Sequence, residues 1–213
     1  MLPKIAFVLL AYLVGAIPFG FLLVKYVFTK GEDVRKIGSG ATGATNVTRR
    51  AGPVAGVLTY ALDVAKGIAA VVLMRQIAGD DHFWLGAAVI AAIAGHVFPI
   101  FLGFRGGKGA ATGFGAYLAI APYSVLSAIV LWAVVVLFTR YVSLASITAA
   151  ASVPLWTTLY YGLLMPNPHV HGMVVIAVAG SGLIVAKHHE NISRLLHGTE
   201  NKMGVRPASG SES

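Results

Sequence analysis

The sequence predicts an all-α integral membrane protein: a bundle of seven transmembrane helices with its N-terminus outside and its C-terminus in the cytoplasm. Of its 213 residues, 57% are hydrophobic and 11% are charged. Soluble domains carry about 25% charged residues, so this chain has too few to cover a water-exposed surface. The composition also excludes a disordered chain, because disorder requires low hydrophobicity and high charge.

Apolar segments of the required length recur along the chain. A transmembrane helix needs about 20 predominantly apolar residues. The first segment is apolar for too long to be the hydrophobic region of a signal peptide. An uncharged run of 31 residues also separates Lys108 from Arg140. Outside this uncharged run, we expect five spans, at residues 5–24, 53–74, 83–101, 143–164 and 172–186.

The 31-residue run is too long for one untilted span and short for two, and the positions of the cations decide between these readings. If the chain turns near Ala121-Pro122, 13 of its 16 Lys and Arg residues share the side of the 29–52 loop. A single crossing would divide the cations 8 against 7. Because cytoplasmic loops carry an excess of Lys and Arg, the sequence favours seven spans and the orientation given above.

We predict one membrane domain over residues 1–206 and a disordered, low-complexity tail over residues 207–213. The chain has no cysteine, which excludes disulfides, thiolate catalysis and Cys-ligated metals. The predicted topology brings three polar, Gly-rich or basic segments to the cytoplasmic face: 29–52, 103–109 and 187–206. The net charge of +8 therefore indicates anionic ligands at a membrane rather than nucleic acid.

The first of these segments contains GSGATGATNVTRR, from Gly38 to Arg50. Its glycines let backbone N–H groups approach an anion, and its hydroxyl and amide side chains add donors. Arg49 and Arg50 supply planar forks that match phosphate oxygens. The pattern predicts a phosphate site; the alternative is a flexible interfacial loop with anchoring cations.

The second segment places Lys108 within a run of glycines, Gly106, Gly107 and Gly109. A nucleotide-binding P-loop is excluded, because Leu102 and Gly109 stand where that motif needs Gly and Ser or Thr. Bare backbone beside an ammonium group can still bind an oxyanion. We favour that role over simple anchoring of the helix at the membrane interface.

The third segment contains His188, Asn191 and Arg194 at intervals of three residues, so on a helix they share one side. Its apolar residues suit a helix lying on the membrane surface, and a purely interfacial role is the alternative. Asp63 and Lys66, three residues apart inside the second span, predict an ion pair that is more structural than chemical. His96 is equally compatible with a structural and a functional role.

These three motifs, in this order on a hydrophobic frame, resemble the bacterial acyl-phosphate:glycerol-3-phosphate acyltransferases, the PlsY family. The matching stretches are 38–49, 95–112 and 188–204, together with DVAKG at 63–67. Ala41 and Ala110 depart from the residues usual in the family, Asn and Val. The resemblance covers nearly the whole chain.

The resemblance implies transfer of a fatty acyl group from acyl phosphate to the sn-1 hydroxyl of glycerol 3-phosphate. Lysophosphatidic acid and phosphate would be the products, in the first step of phospholipid biosynthesis. It implies no cofactor and no metal, membrane lipids as surroundings, and an active site on the cytoplasmic side of the bacterial inner membrane. It assigns the active centre to Ser39, Arg49, Lys108, His188 and Asn191. It assigns the phosphate cradle to Gly38, Gly40, Thr45, Asn46, Gly106, Gly107 and Gly109.

Two other functions fit parts of the sequence. A transporter for organic phosphates would suit basic Gly-rich segments and the intramembrane Asp63 and Lys66, but predicts polar groups spread across the whole membrane. A non-catalytic lipid-binding scaffold would not need three donor-rich loops. The clustering of these groups at one face favours the enzyme.

Overall fold

The computed structural model describes residues 1–204, which are helical and contain no strand. The predicted end of the domain at 206 and the predicted tail over 207–213 lie outside the described residues. In chain order the helices are α1 (Leu2–Ala16), α2 (Phe19–Leu23), α3 (Ala44–Ala78), α4 (His82–Val97), α5 (Ala110–Leu118), α6 (Pro122–Thr139), α7 (Val142–Thr157), α8 (Val170–Ala186) and α9 (His189–Leu196). Short π-helical turns extend α2 through Phe28 and α7 through Leu164.

Within residues 1–204, five stretches are long and apolar enough to cross a membrane: Leu2–Phe28, Ala44–Ala78, His82–Leu102, Pro122–Thr139 and Val142–Leu164. Helices α8 and α9, bent by 60°, form a pair that would count as a sixth. The predicted all-α, multi-pass architecture is therefore confirmed. Helix α5 has 9 residues and is about 14 Å long at 1.5 Å per residue, so it does not cross a bilayer alone. The total of seven membrane spans therefore stays a prediction.

Two of the spans that we predicted as uninterrupted are broken, each beside a proline, and a third break lies where we predicted a helix to begin, at Pro53. Helix α1 ends just before Ile17-Pro18, and α4 ends just before Phe98-Pro99. Helix α3 changes direction at Gly52 (φ +87°), the residue before Pro53. Proline lacks an N–H and pushes the preceding residue out of the helical region. The predicted spans 5–24 and 83–101 are therefore interrupted near one end of the bundle.

The 31-residue run turns where the sequence predicts, because α5 ends at Leu118 and α6 begins at Pro122. The guanidinium of Arg75, near the end of α3, donates a 3.0 Å hydrogen bond to the carbonyl of Ala119. The end of α5 thus lies beside the end of α3. Helices α5 and α3 consequently run in the same direction, away from the end where α1 and α4 break.

The bundle packs through small residues and a compact apolar core. A Cβ at Gly67 of α3 would collide with the backbone of Thr112 in α5, so the close approach of these helices requires glycine. Met74, Leu85 and Ile93 are fully buried between α3 and α4 and their neighbours. Many other large apolar side chains are exposed, among them Leu137 and Phe138 of α6, which is the surface that lipid would cover.

Candidate active site

The Gly-rich part of the first segment is a loop held in shape by Asn46. The side-chain nitrogen of this buried residue lies 2.9–3.1 Å from the carbonyl oxygens of Val34, Ile37 and Ala41. Its oxygen accepts a 3.3 Å hydrogen bond from the Ser39 N–H. The sequence predicts Asn46 as a phosphate donor, but here its donors face the loop backbone. Its observed role is therefore to shape the loop that carries Ser39.

The second half of that segment is helical rather than a loop, because α3 begins at Ala44. Thr45 and Arg49 are four residues apart and exposed, so they share one face of the helix. The neighbouring Arg50 forms an ion pair with Glu32. Arg49 has no ion-pair partner among residues 1–204. Of the two adjacent arginines, Arg49 is thus the one available to an anion.

Two helices begin at this end of the bundle directly after a glycine. Helix α3 follows Gly43 and α5 follows Gly109, and neither glycine provides a side-chain cap. The first N–H groups of a helix have no partner within the helix, and its dipole places partial positive charge there. Uncapped helix starts beside cations are suited to bind phosphate oxygens.

The second segment folds back over the end of α4. The Gly107 N–H donates a 3.1 Å hydrogen bond to the His96 carbonyl, so this predicted phosphate donor is used within the protein. The next residue, Lys108, extends its ammonium to Asn191 and donates a hydrogen bond to the Asn191 side-chain oxygen. The glycine-rich loop therefore places the Lys108 side chain in contact with the third segment.

The third segment forms a hydrogen-bonded chain that ends on a carboxylate. The Asn191 Nδ2 donates to Glu200 Oε1 at 2.9 Å, and Arg194 Nε donates to Glu200 Oε2 at 2.7 Å. The Ser143 hydroxyl at the start of α7 donates to Glu200 Oε1, also at 2.9 Å. Asn191 and Arg194 thus face the same partner, as their spacing predicts.

His188 precedes α9 and is buried at the same place. Its Nδ1 lies 2.7 Å from the carbonyl oxygen of Ile184. A carbonyl only accepts hydrogen bonds, so Nδ1 carries the proton and Nε2 has a free lone pair. Burial, assisted by the positive charge of Lys108, lowers the pKa of His188 to about 4. The imidazole is neutral at physiological pH.

Burial and neighbouring cations both act on Lys108. Burial lowers the pKa of Lys108, and the positive charges of Arg194 and Arg49 lower it further. Burial by itself would raise the pKa of Glu200, but hydrogen bonds from Arg194, Asn191 and Ser143 lower it below its ordinary value. A bound phosphate would offset the lowered pKa of Lys108, because its negative charge favours the protonated ammonium.

The structure brings together Lys108, Asn191 and His188, with Arg49 close enough to influence Lys108 electrostatically. The Ser39 hydroxyl, half-buried on its loop, has no hydrogen-bond partner within residues 1–204. Gly38 and Gly40 flank it in the same loop. Residues 1–204 contain no cluster of three or more His, Asp or Glu suited to a metal ion.

The residue that sequence reasoning missed is Glu200. It lies six positions after Arg194, which matches no helical spacing. Helix α9 ends at Leu196, and the chain turns back at Gly198. The sequence did show that Glu190 and Glu200 are the two acidic residues of the third segment, and therefore the candidates to pair with its cations. Only the turn shows which of them meets Asn191.

Comparison with known proteins identifies the family of this chain. The family model described as glycerol-3-phosphate acyltransferase matches residues 5–198. The glycerol-3-phosphate acyltransferase of Desulforamulus reducens is 47% identical over 92% of this chain and 93% of its own length. That of Geobacter sulfurreducens is 44% identical over 95% of this chain and 98% of its own.

Two solved structures share the fold. Both are crystal structures of PlsY, an integral membrane glycerol 3-phosphate acyltransferase, in its glycerol 3-phosphate and lysophosphatidic acid forms. Each is 39% identical and covers 95% of this chain and 96% of its own, with TM-scores of 0.84 and 0.83. With the family model covering most of its length, the chain belongs to the glycerol-3-phosphate acyltransferase family.

Proposed function

We propose that this protein transfers a fatty acyl group from acyl phosphate to the sn-1 hydroxyl of glycerol 3-phosphate, which yields lysophosphatidic acid and phosphate. The observation that carries the proposal is the convergence of three distant segments at Lys108. Lys108 donates a hydrogen bond to Asn191, its charge lowers the pKa of His188, and the charge of Arg49 lowers the pKa of Lys108. The forms in which the related PlsY structures were solved agree with glycerol 3-phosphate as substrate and lysophosphatidic acid as product.

Both substrates carry phosphate, and the site offers more than one anion-binding element. Arg49 and Thr45 project from the first turns of α3, and Lys108 precedes α5. Each helix start adds unsatisfied N–H groups. We assign Arg49, Lys108 and Ser39 to the orientation of the two phosphates and the stabilisation of developing negative charge. Gly38, Gly40, Gly106, Gly107 and Gly109 shape the loops around them.

In the reaction the hydroxyl oxygen forms a bond to the acyl carbonyl carbon, and the bond from that carbon to the phosphate oxygen breaks. Inorganic phosphate leaves with the electron pair. We assign the hydroxyl proton to a substrate phosphate oxygen, because the nearest imidazole is a poor base. A general base works best when its pKa lies near the working pH, and that of His188 lies near 4. His188 and Asn191 instead position Lys108 and the reactants.

We further propose seven crossings, with the N-terminus outside, the C-terminus in the cytoplasm and the site facing the cytoplasm of a bacterial inner membrane. The Arg75–Ala119 hydrogen bond supports this topology, because it puts the end of α5 far from Lys108. Helix α6 then returns to Ser143, which contacts Glu200 at the site. Helix α5 would be the main part of the fourth crossing, between the cytoplasmic 103–109 segment and the turn at Ala121-Pro122.

A direct assay tests the proposal. Purified protein in detergent micelles receives acyl phosphate and radiolabelled glycerol 3-phosphate, and lysophosphatidic acid is separated by thin-layer chromatography. Acyl-CoA and acyl carrier protein are tested as donors in parallel reactions. Product from acyl phosphate supports the proposal. Uptake of labelled glycerol 3-phosphate into protein-containing vesicles without product would favour the transporter instead.

A further inference from the structure

A buried polar cluster lies beneath the loop that carries Lys108. It consists of Asp63 and Lys66 of α3, His96 of α4 and Thr112 of α5. Each is at most 6% exposed. Ionisable side chains buried within a membrane bundle are costly and are retained where they do something specific. The role assigned to the catalytic segments leaves this cluster unexplained.

The cluster is connected internally by short polar contacts. Lys66 Nζ lies 2.8 Å from Asp63 Oδ1 and donates a hydrogen bond of the same length to the carbonyl of Ile17, at the break after α1. His96 Nδ1 lies 3.6 Å from the same Asp63 oxygen and 3.0 Å from the Thr112 hydroxyl. Four helices are thus tied together at one level, and both polar contacts of the His96 ring are made at Nδ1.

The Gly106–Lys108 loop rests directly on His96. The Gly107 N–H donates to the His96 carbonyl at 3.1 Å. A Cβ at Gly107 would collide with His96 Nε2, and a Cβ at Gly106 would collide with the His96 carbonyl oxygen. Glycine is required at both positions by this close approach. The ring of His96 therefore forms the surface against which the loop sits.

We propose that His96, held by Thr112 and the Asp63–Lys66 pair, is a positioning residue that sets the Gly106–Lys108 loop and so places the Lys108 ammonium against a substrate phosphate. The inference rests on the proposed function in one respect: it takes the ligand of Lys108 to be a phosphate. The imidazole acts through the loop and contacts no substrate.

The test removes one hydrogen bond without altering volume. Thr112→Val leaves His96 Nδ1 without its hydroxyl partner, and Thr112→Ser keeps that partner. Thr157→Val is the matched control, since Thr157 is an equally buried threonine of α7 that bonds to Ser124, away from the loop. His96→Ala is the direct variant, but it opens a cavity and could impair folding.

Kinetics in detergent distinguish positioning from a purely structural role. A structural defect lowers the fraction of active protein, which reduces kcat and leaves KM unchanged. Positioning predicts that Thr112→Val raises KM for at least one of the two phosphate substrates about five- to tenfold, the equivalent of one hydrogen bond. Thr112→Ser should stay within about twofold of wild type. An unchanged KM for both substrates in Thr112→Val would overturn the proposal.

A binding measurement decides the matter if the wild-type protein produces no lysophosphatidic acid. Inorganic phosphate is titrated while thermal unfolding is followed, and the concentration for half-maximal stabilisation is compared between variants. A higher midpoint in Thr112→Val, but not in Thr157→Val, supports positioning even though the proposed function has failed. Equal midpoints, or no stabilisation of the wild type by phosphate, overturn it.

Discussion

The Lys108 ammonium donates a hydrogen bond to the side-chain oxygen of Asn191, a residue 83 positions later in the chain. The side-chain Nδ2 of Asn191 in turn donates a hydrogen bond to Glu200. The flexible Lys108 side chain, which lies within a glycine-rich loop, is thereby held in one place before any substrate binds. Preorganised charge of this kind contributes most to catalysis, because it need not reorganise during the reaction.

Replacement of Lys108 should therefore remove most of the activity. We expect Lys108→Met to lower kcat/KM by about 100- to 1,000-fold, as is typical when one preorganised electrostatic group is lost. Steady-state acyl transfer in detergent measures the effect. Lys36→Met is the control, since Lys36 is an exposed cation of the first loop. A loss of less than tenfold would place Lys108 outside the reacting centre.

The two adjacent arginines should behave differently. We expect Arg49→Ala to lower kcat/KM at least about 100-fold, because its guanidinium is the free anion ligand of α3. Arg50→Ala should change it by no more than about fivefold, since Arg50 is paired with Glu32 on the surface and exposed ion pairs contribute at most about 1 kcal/mol. The same assay compares both. Equal losses would contradict the distinction.

The pH dependence should report the substrate rather than His188. Because His188 has a pKa of about 4, it stays neutral between pH 5.5 and 8.5 and adds no inflection there. A phosphate monoester accepts a proton with a pKa of about 6, so kcat/KM should fall as the pH decreases through that value. A pH–rate profile at constant ionic strength tests this. A histidine inflection that disappears in His188→Gln would refute proton transfer to phosphate.

Glu200 should contribute to stability in a pH-dependent way. Its folded-state pKa is lowered, so its contribution is complete at neutral pH and is lost as the pH falls through that lowered value. Glu200→Ala leaves Arg194 and Asn191 without their buried partner and should cost about 2–4 kcal/mol. Thermal unfolding at pH 7 and pH 4 measures both effects. The difference between variant and wild type should be smaller at pH 4.

Part of this site could be predicted from the sequence, and the reason lies in local chemistry. Lys108, Asn191 and Arg49 stand out as donors within glycine-rich or regularly spaced motifs. Only the family resemblance singled out Arg49 over Arg50; residue chemistry alone could not separate them, because the distinction depends on the pairing of Arg50 with Glu32 in a loop. The hydrogen bonds from Asn46 to the loop backbone could not be predicted either. The partners of the Asn46 side-chain nitrogen are backbone carbonyls. Every residue has such a carbonyl, so the sequence cannot show which ones Asn46 contacts.

The fold was likewise only partly predictable from the sequence. Hydropathy located the apolar stretches, and the distribution of cations predicted the turn before Pro122. It could not show that α1 and α4 break at one level, or that α5 is short. Those features depend on polar contacts such as Lys66 with the Ile17 carbonyl, which satisfy the backbone groups that a break frees.

The number of crossings can be decided by labelling, because the chain has no cysteine and each introduced thiol reports one position. Pro166→Cys lies between α7 and α8, and Asp80→Cys between α3 and α4. With seven crossings, both should react with a membrane-impermeant maleimide in intact cells.

Lys30→Cys and Lys202→Cys should react only after the membrane is permeabilised. If residues 110–139 crossed once, Pro166→Cys would be protected and Lys202→Cys would be labelled, while Asp80→Cys and Lys30→Cys would be unchanged. The last two variants are thus internal controls for sidedness. The Arg75–Ala119 contact favours the first outcome, since it holds the turn between α5 and α6 at the end of the bundle opposite Lys108.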